Sequence, residues 1–247
     1  MNKSKKILVI GDSCRDIFVY CSADRLCPDV PAPVLNIIDQ TENGGMAKNV
    51  QRNILTRVEG CDIITNNNWQ QITKTRYVHA KTNYTFLRVD NNIKVPPLDV
   101  LSVDLNYDII VISDYNKGFI TEPDIDYICK NHPCVFLDTK KILGDWAESA
   151  KFIKINEYEY KRSYSFIKNA IRLNDKIICT LGEEGCKFKN KIFKVKNEDI
   201  KDTTGAGDSF LAALVVKYLY DGNIENAICY ANECASQVVK SRGVTLI

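Results

Sequence analysis

The 247-residue chain carries 33 basic against 31 acidic side chains, a formal charge of +2, with 45% hydrophobic and 26% charged residues. That is the composition of a globular protein able to bury a full core, and the balanced charge gives no support for nucleic-acid or membrane-surface binding. No run approaches the ~18 apolar residues of a membrane span, so a cytoplasmic protein is expected.

After a basic start, Ile7 to Ile10 form an apolar run ending at Gly11-Asp12. Four residues are too few for a signal-peptide core and read as a first buried strand. A loop with Pro28, Pro31 and Pro33 leads into a short strand at 34–38, and a helix is expected at 46–55. Residues 75–89 (TRYVHAKTNYTFLRV) alternate in polarity and reverse near 81–83, the pattern of a half-exposed antiparallel hairpin. A small polar sheet lying as a lid over the main strand ends would use both segments, about 31–40 and 75–90. An edge extension of the main sheet is the alternative.

Further along, YDIIVISD, CVFLD, KFIKIN and DKIICTLG repeat the design of the first run: a short β-branched stretch closed by Gly, Asp, Asn or Thr. Such runs read as strands buried on both faces. Helices are expected between them at 122–130, 157–163 and 164–173. The alternation predicts an α/β fold, one domain over 1–247 with a doubly wound, mostly parallel sheet, and ligands gathered beyond the carboxyl ends of its strands.

Ten cysteines are many for such a chain, but the closest pairs, Cys129/Cys134 and Cys229/Cys234, are five apart, and His79 and His132 are the only histidines. Zinc sites want closer pairs with partners, so reduced thiols acting as small apolar residues are expected.

The strongest chemical signal is Asp202-Thr203-Thr204-Gly205-Ala206-Gly207-Asp208-Ser209-Phe210, followed by the helical run LAALVVKYLY. Small residues let the backbone approach a ligand, and the helix start offers unpaired N–H groups to an anion. It is neither a Walker A loop, since no Lys-Ser or Lys-Thr follows, nor a GxGxxG fingerprint. A carboxylate at Asp208 would repel that anion unless it acts as a base toward an attacking hydroxyl. Decoration of the first helical turn is the other reading.

DTTGAGDSF resembles the signature of the ribokinase-like (PfkB) carbohydrate kinases, and the resemblance runs through nearly the whole chain. GDSCRDIFVY, DRLCPDVPAPVLNI, GGMAKN, TFLRVD, SDYNKG, LDTKK, NEYE, TLGEEG and CYANECASQVVKSRG follow in the family's order, and are most similar to bacterial heptose-7-phosphate kinases. The resemblance implies a ribokinase-like fold, ATP and Mg2+ as cofactors, possible use of K+, and a sugar or sugar phosphate as partner. A homodimer is one expected assembly. It makes Asp208 the catalytic base, with Gly205, Ala206 and Gly207 around the transferring phosphoryl. Asp16, with Asp12 as a second candidate, Gly44, Gly45 and Asn49 would bind the sugar. Arg88 and Lys140 would neutralise a phosphate on it, with Asp114 and Lys117 nearby. Asn156 and Glu159 would act near the nucleotide phosphates, Glu159 holding magnesium through water. Thr180, Gly182, Gly185 and Asn232 would line the nucleotide cleft, and the carbonyls of Asp202 and Thr204 a monovalent cation site.

Several of these residues have plainer roles open to them. Asp16 could cap a turn, Gly44-Gly45 could simply turn the chain before a helix, Arg88 and Lys140 could be solvated, and Glu159 could be a capping partner. The chain also departs from the family pattern. The stretch between Asn49 and Thr75 is shorter than usual, and the chain stops at Ile247. An edge of the sheet is therefore expected to be trimmed. A kinase for another sugar, or a trimmed homologue that binds without catalysis, are the alternative functions.

Overall fold

The five apolar runs become neighbouring parallel strands. The structure, a computed structural model, describes residues 5–91, 93–195, 202–240 and 246–247. In chain order these form β1 (Ile7–Gly11), β2 (Ser13–Leu26), β3 (Pro33–Met46), α1 (Ala47–Leu55), β4 (Cys61–Thr65), β5 (Thr73–His79) and β6 (Thr85–Asp90). There follow β7 (Ile109–Asp114), α2 (Glu122–Asn131), β8 (Val135–Thr139), β9 (Phe152–Asn156), α3 (Glu157–Ile167) and α4 (Ile171–Asn174). The last elements are β10 (Ile177–Thr180), β11 (Cys186–Phe188), β12 (Lys191–Phe193), α5 (Ala206–Asp221) and α6 (Ile224–Val238).

The larger sheet has eight strands in the order β12-β11-β10-β9-β8-β7-β1-β4. From β10 to β4 every pairing is parallel, and only the β10–β11–β12 end is antiparallel. Alternate residues of each parallel strand enter two separate cores. Ile7, Val9, Ile109, Val111 and Phe136 pack with α1, α5 and α6 on one face. Leu8, Ile10, Ile110, Ile112 and Leu137 pack with α2 and α3 on the other. Parallel strands covered by helices on both faces need apolar residues at every position, which is why these runs do not alternate.

The second sheet is separate, with the order β3-β2-β5-β6. It is longer and less regular than the sequence implied. β3 continues from Pro33 to Met46, well past the expected 34–38, and β2, not anticipated as a strand, supplies its centre. The pairings β2–β3 and β5–β6 are antiparallel, but β2 and β5 are parallel. The two helices expected at 157–163 and 164–173 are one helix, α3, followed by the single turn α4. No Pro or Gly separates Ser163 from Tyr164, so nothing stops the first helix there. In the shortened region, β4 pairs with β1 and forms the edge of the large sheet.

All ten cysteines are free thiols, and seven of them are buried. Burial pushes the thiol pKa of Cys61, Cys129 and Cys186 up to about 12. Among the described residues no helix is long and apolar enough to cross a membrane.

Candidate active site

The carboxyl ends of β1, β7, β8, β9 and β10 deliver Asp12, Asp114-Tyr115, Lys140, Asn156 and Thr180 to one edge of the large sheet. α5 begins at the same edge. Gly205 precedes it with φ 80°, a left-handed conformation that costs other residues strain, and no side chain caps the helix start. The N–H groups of its first turn are thus left for a ligand, apart from local turn bonds such as Ala206 N–H to Thr203 O at 3.2 Å.

Asp208 lies in that first turn and is 7% exposed. Its carboxylate accepts from Asn49 Nδ2 at 2.9 Å and from the Tyr115 hydroxyl at 2.6 Å. Burial raises its pKa, against the pull of those two hydrogen bonds and of Lys154. Asn49 is brought there by α1, which starts directly after Gly44-Gly45. A side chain at Gly45 would come within 3.1 Å of both Asp16 Cβ and Cys14 Sγ. Met46, between Gly45 and the helix, holds φ 61°, rare outside glycine.

On one side of Asp208 opens a polar cavity of about 560 Å³ lined by Tyr115, Lys140, Lys154, Asn156, Gly205 and Gly207, among others. Lys154, inside the apolar run FIKIN, pairs with the buried Asp138 at 2.8 Å. A Cβ at Gly207 would lie 3.2 Å from Lys154 Nζ, so glycine there leaves the lysine room to reach the loop. Lys140 Nζ is 2.6 Å from Glu159 Oε1 and 3.6 Å from Asp138 Oδ1. Burial alone would raise the Asp138 pKa, but Lys154 and Lys140 outweigh it and hold it below the ordinary value. Two lysines thus serve one carboxylate.

A more apolar cavity of about 250 Å³ adjoins this one, sharing Thr180, Gly182, Thr203 and Gly207 and running between α5 and α6. Gly182 and Gly185 both have positive φ, and a Cβ on Gly185 would collide with Phe193 O at 2.0 Å. Asn232 lines this cavity and donates to Phe193 O at 2.8 Å. The Ser-Arg-Gly end of its motif, residues 241–243, lies outside the described residues.

Several expected ligand contacts are used internally. Asp12 is fully buried and accepts from the N–H groups of Tyr115 at 2.7 Å and Phe119 at 3.3 Å. It holds the Tyr115–Phe119 loop. Asp114 is likewise committed, to Thr139 Oγ1 at 2.5 Å and Lys141 Nζ at 2.8 Å. Asn156 and Glu159 form a reciprocal capping box at the start of α3, the plainer role open to Glu159. Lys140 and Arg88 have different partners: Lys140 belongs to the Asp138–Glu159 group, whereas Arg88 on β6 forks onto Asp90 with two bonds of 2.7 Å. Asp202 and Thr204 lie in the turn before α5, where Thr204 N–H meets Asp202 Oδ1 at 2.9 Å. Asp16 pairs with Arg76 on the face of the small sheet, its pKa raised by burial against that partner.

Tyr115, Lys74, Arg76, Asp138 and Lys154 are the residues that sequence reasoning passed over. A visible signal existed for Lys154, a lysine within an otherwise apolar strand, and none for Tyr115.

The profile of the pfkB family carbohydrate kinases matches residues 121–247, more than half of the chain. The chain is 28% identical over 297 aligned positions to the bifunctional protein HldE of Helicobacter pylori (strain J99), covering 98% of the chain and 64% of that protein. It therefore spans less than two thirds of the relative's length. The HldE of Campylobacter curvus matches at 27%, covering 98% of the chain and 63% of that protein. Among solved structures, ribokinase from Thermotoga maritima superposes with a TM-score of 0.73 at 19% identity, over 97% of this chain and 94% of that one. Phosphofructokinase-2 from Escherichia coli, complexed with potassium, gives 0.71 at 13% identity over 99% and 95%. These likenesses fix a ribokinase-like fold. Together with the family match, which spans the loop before α5, they establish that the chain belongs to the pfkB family of carbohydrate kinases.

Proposed function

We propose that this protein transfers the γ-phosphoryl group of ATP to a hydroxyl of a small sugar, with Asp208 as general base. The observation carrying this is the placement of Asp208: a buried carboxylate at the open start of α5, beside the cavity that holds Lys140 and Lys154. The acceptor hydroxyl gives its proton to Asp208 as its oxygen bonds to the γ-phosphorus. The bond from that phosphorus to the bridging oxygen then breaks and ADP leaves. A raised carboxylate pKa makes Asp208 a stronger base. The N–H groups around Gly205, Ala206 and Gly207, with Lys154, offset the charge on the phosphoryl oxygens. Thr180, Gly182, Gly185 and Asn232 form the nucleotide side. Asp16, Gly44, Gly45 and Asn49 form the sugar side, under the small sheet acting as a lid.

Magnesium suits this cavity as a phosphate-borne ion, since it commonly keeps waters and takes one or two carboxylates plus phosphates. Both Glu159 oxygens already accept hydrogen bonds, which favours contact through water. K+ at the carbonyls of Asp202 and Thr204 is part of the same proposal. The proposed substrate is heptose 7-phosphate or a similar sugar phosphate, supported by the motif resemblance to heptose-7-phosphate kinases and by Lys74, Arg76 and Arg88 on β5 and β6 of the small sheet.

ADP formation with heptose 7-phosphate, ribose and fructose tests the activity. Asp208→Asn should lower kcat by roughly 10²–10⁴ with nucleotide affinity little changed. Near-normal turnover in the folded variant would remove Asp208 as base. Equal rates on ribose would leave a kinase with a different sugar, and no ADP with any sugar would favour a binding homologue.

A further inference from the structure

The hydrogen bonds on Asp208 leave little of its carboxylate open. Oδ2 takes Asn49 Nδ2 at 2.9 Å and Oδ1 takes the Tyr115 hydroxyl at 2.6 Å. Tyr115 and Asp208 line the polar cavity together, whereas Asn49 approaches from α1. Oδ1 is therefore the oxygen on the cavity side. An acceptor hydroxyl must reach the same carboxylate before its proton can pass. The phenol already makes that O–H to carboxylate bond, in the place an acceptor oxygen would take.

The two donors are not held alike. Asn49 is buried in α1, and its carbonyl and side-chain oxygens both meet Asn53 Nδ2, at 2.8 and 3.4 Å. Tyr115 stands at the start of an irregular turn, with Asn116 at φ 55° and Gly118 at φ 97°. Its backbone N–H is fixed on Asp12 at 2.7 Å, so the chain stays in place when the side chain turns. The ring lies between two ammonium groups, Lys74 of the small sheet at 5.1 Å and Lys140 of the large sheet at 5.4 Å from its centre. Any shift of the small sheet thus alters one of the ring's two walls. Burial and the adjacent Asp208 push the phenol pKa well above its ordinary value of 10, so the hydroxyl stays protonated and remains a donor.

A base beside a nucleotide phosphate can serve water as well as a sugar. A water oxygen on Oδ1 would bond to the γ-phosphorus and give its proton to Asp208. The bond to the bridging oxygen would break, ADP would leave and inorganic phosphate would be wasted. We propose that Tyr115 is a stand-in for the acceptor: its phenol occupies Asp208 while the acceptor cleft is empty, shuts out water, and turns aside when the acceptor hydroxyl takes its place. The inference rests on the proposed function for Asp208 as base. Tyr115 acts through Asp208 and is a positioning residue.

ADP formation by the full chain tests this, measured with ATP and Mg2+ on the alkaline plateau, without sugar and with whichever of heptose 7-phosphate, ribose and fructose is turned over fastest. Tyr115→Phe should raise the sugar-free rate about tenfold or more, toward the 10²–10⁴ that a general base can supply. It should also lower KM for the sugar, since no phenol has to be displaced. Adding Asp208→Asn should abolish the leak, whereas a site that had merely loosened would keep it. No rise in the single variant, a leak that survives the loss of Asp208, or a KM that does not fall overturns the stand-in. Wild type that phosphorylates a sugar beside a Tyr115→Phe variant without a leak overturns the stand-in alone. A leak that needs Asp208, with no sugar phosphorylated by wild type, overturns the proposed sugar kinase and supports the stand-in. No ADP from any variant overturns both.

Discussion

Asp208 and Tyr115 are coupled, and pH should reveal it. The phenol donates to the carboxylate, which favours the charged form, so Tyr115→Phe should raise the Asp208 pKa above its already elevated value. The acid limb of the kcat profile should then move to higher pH by about one unit, the worth of one hydrogen bond to a charged group. A variant that merely loosens the fold would lower the melting temperature and leave the limb in place. Stability carries a second sign. A carboxylate whose folded pKa is raised weakens the fold above that pKa and not below the ordinary value of 3.8. Asp208→Asn should therefore melt higher than wild type at neutral pH, with the difference shrinking as the pH falls toward that of an ordinary aspartate. A lower melting temperature at pH 7 would mean that the bonds from Asn49 and Tyr115 outweigh the burial penalty.

At the level of elements, the start of α5 depends on glycine for its shape. Gly205→Ala places a Cβ on a left-handed residue and should cost about 1–2 kcal/mol, read by denaturant titration. Gly185→Ala should cost more, because the new atom meets the Phe193 carbonyl as well as positive φ. Equal losses would show that the β10–β11 loop relaxes freely. The parallel strands were legible because burial on both faces leaves unbroken apolar runs, and DTTGAGDSF was legible because its small residues have few other uses. β2 was not. Its sequence SCRDIFVYCSADRL mixes charged and apolar residues, since one face meets the cleft and the other the small cluster of Ile17, Val19 and Cys21. The site was legible where a motif is contiguous, at Asp208, and illegible where it depends on register between distant strands. Lys74 becomes conspicuous only once β2 and β6 flank it, and Asp12 and Asp114 look like ligands until their backbone and lysine partners are in place.

For the molecule as a whole, the chain passes between the two sheets four times, at the β1–β2, β3–α1, β4–β5 and β6–β7 connections. Acceptor binding should draw the small sheet down, slowing amide exchange in 73–90 when heptose 7-phosphate is added. Unchanged exchange at saturation would mark that sheet as fixed. The same molecule also carries its own reporters of opening. A thiol with a pKa of about 12 is almost never thiolate at neutral pH, so a thiolate-selective reagent should pass over Cys61, Cys129 and Cys186 while the fold is closed and take the exposed Cys229 at once. Labelling of the three silent thiols should then proceed only as fast as the chain opens. Cys61 on the edge strand β4, Cys129 on α2 and Cys186 beside the smaller cavity lie in three different regions. Equal rates would mean that the protein opens all at once, and a faster Cys61 that it frays first from the β4 edge.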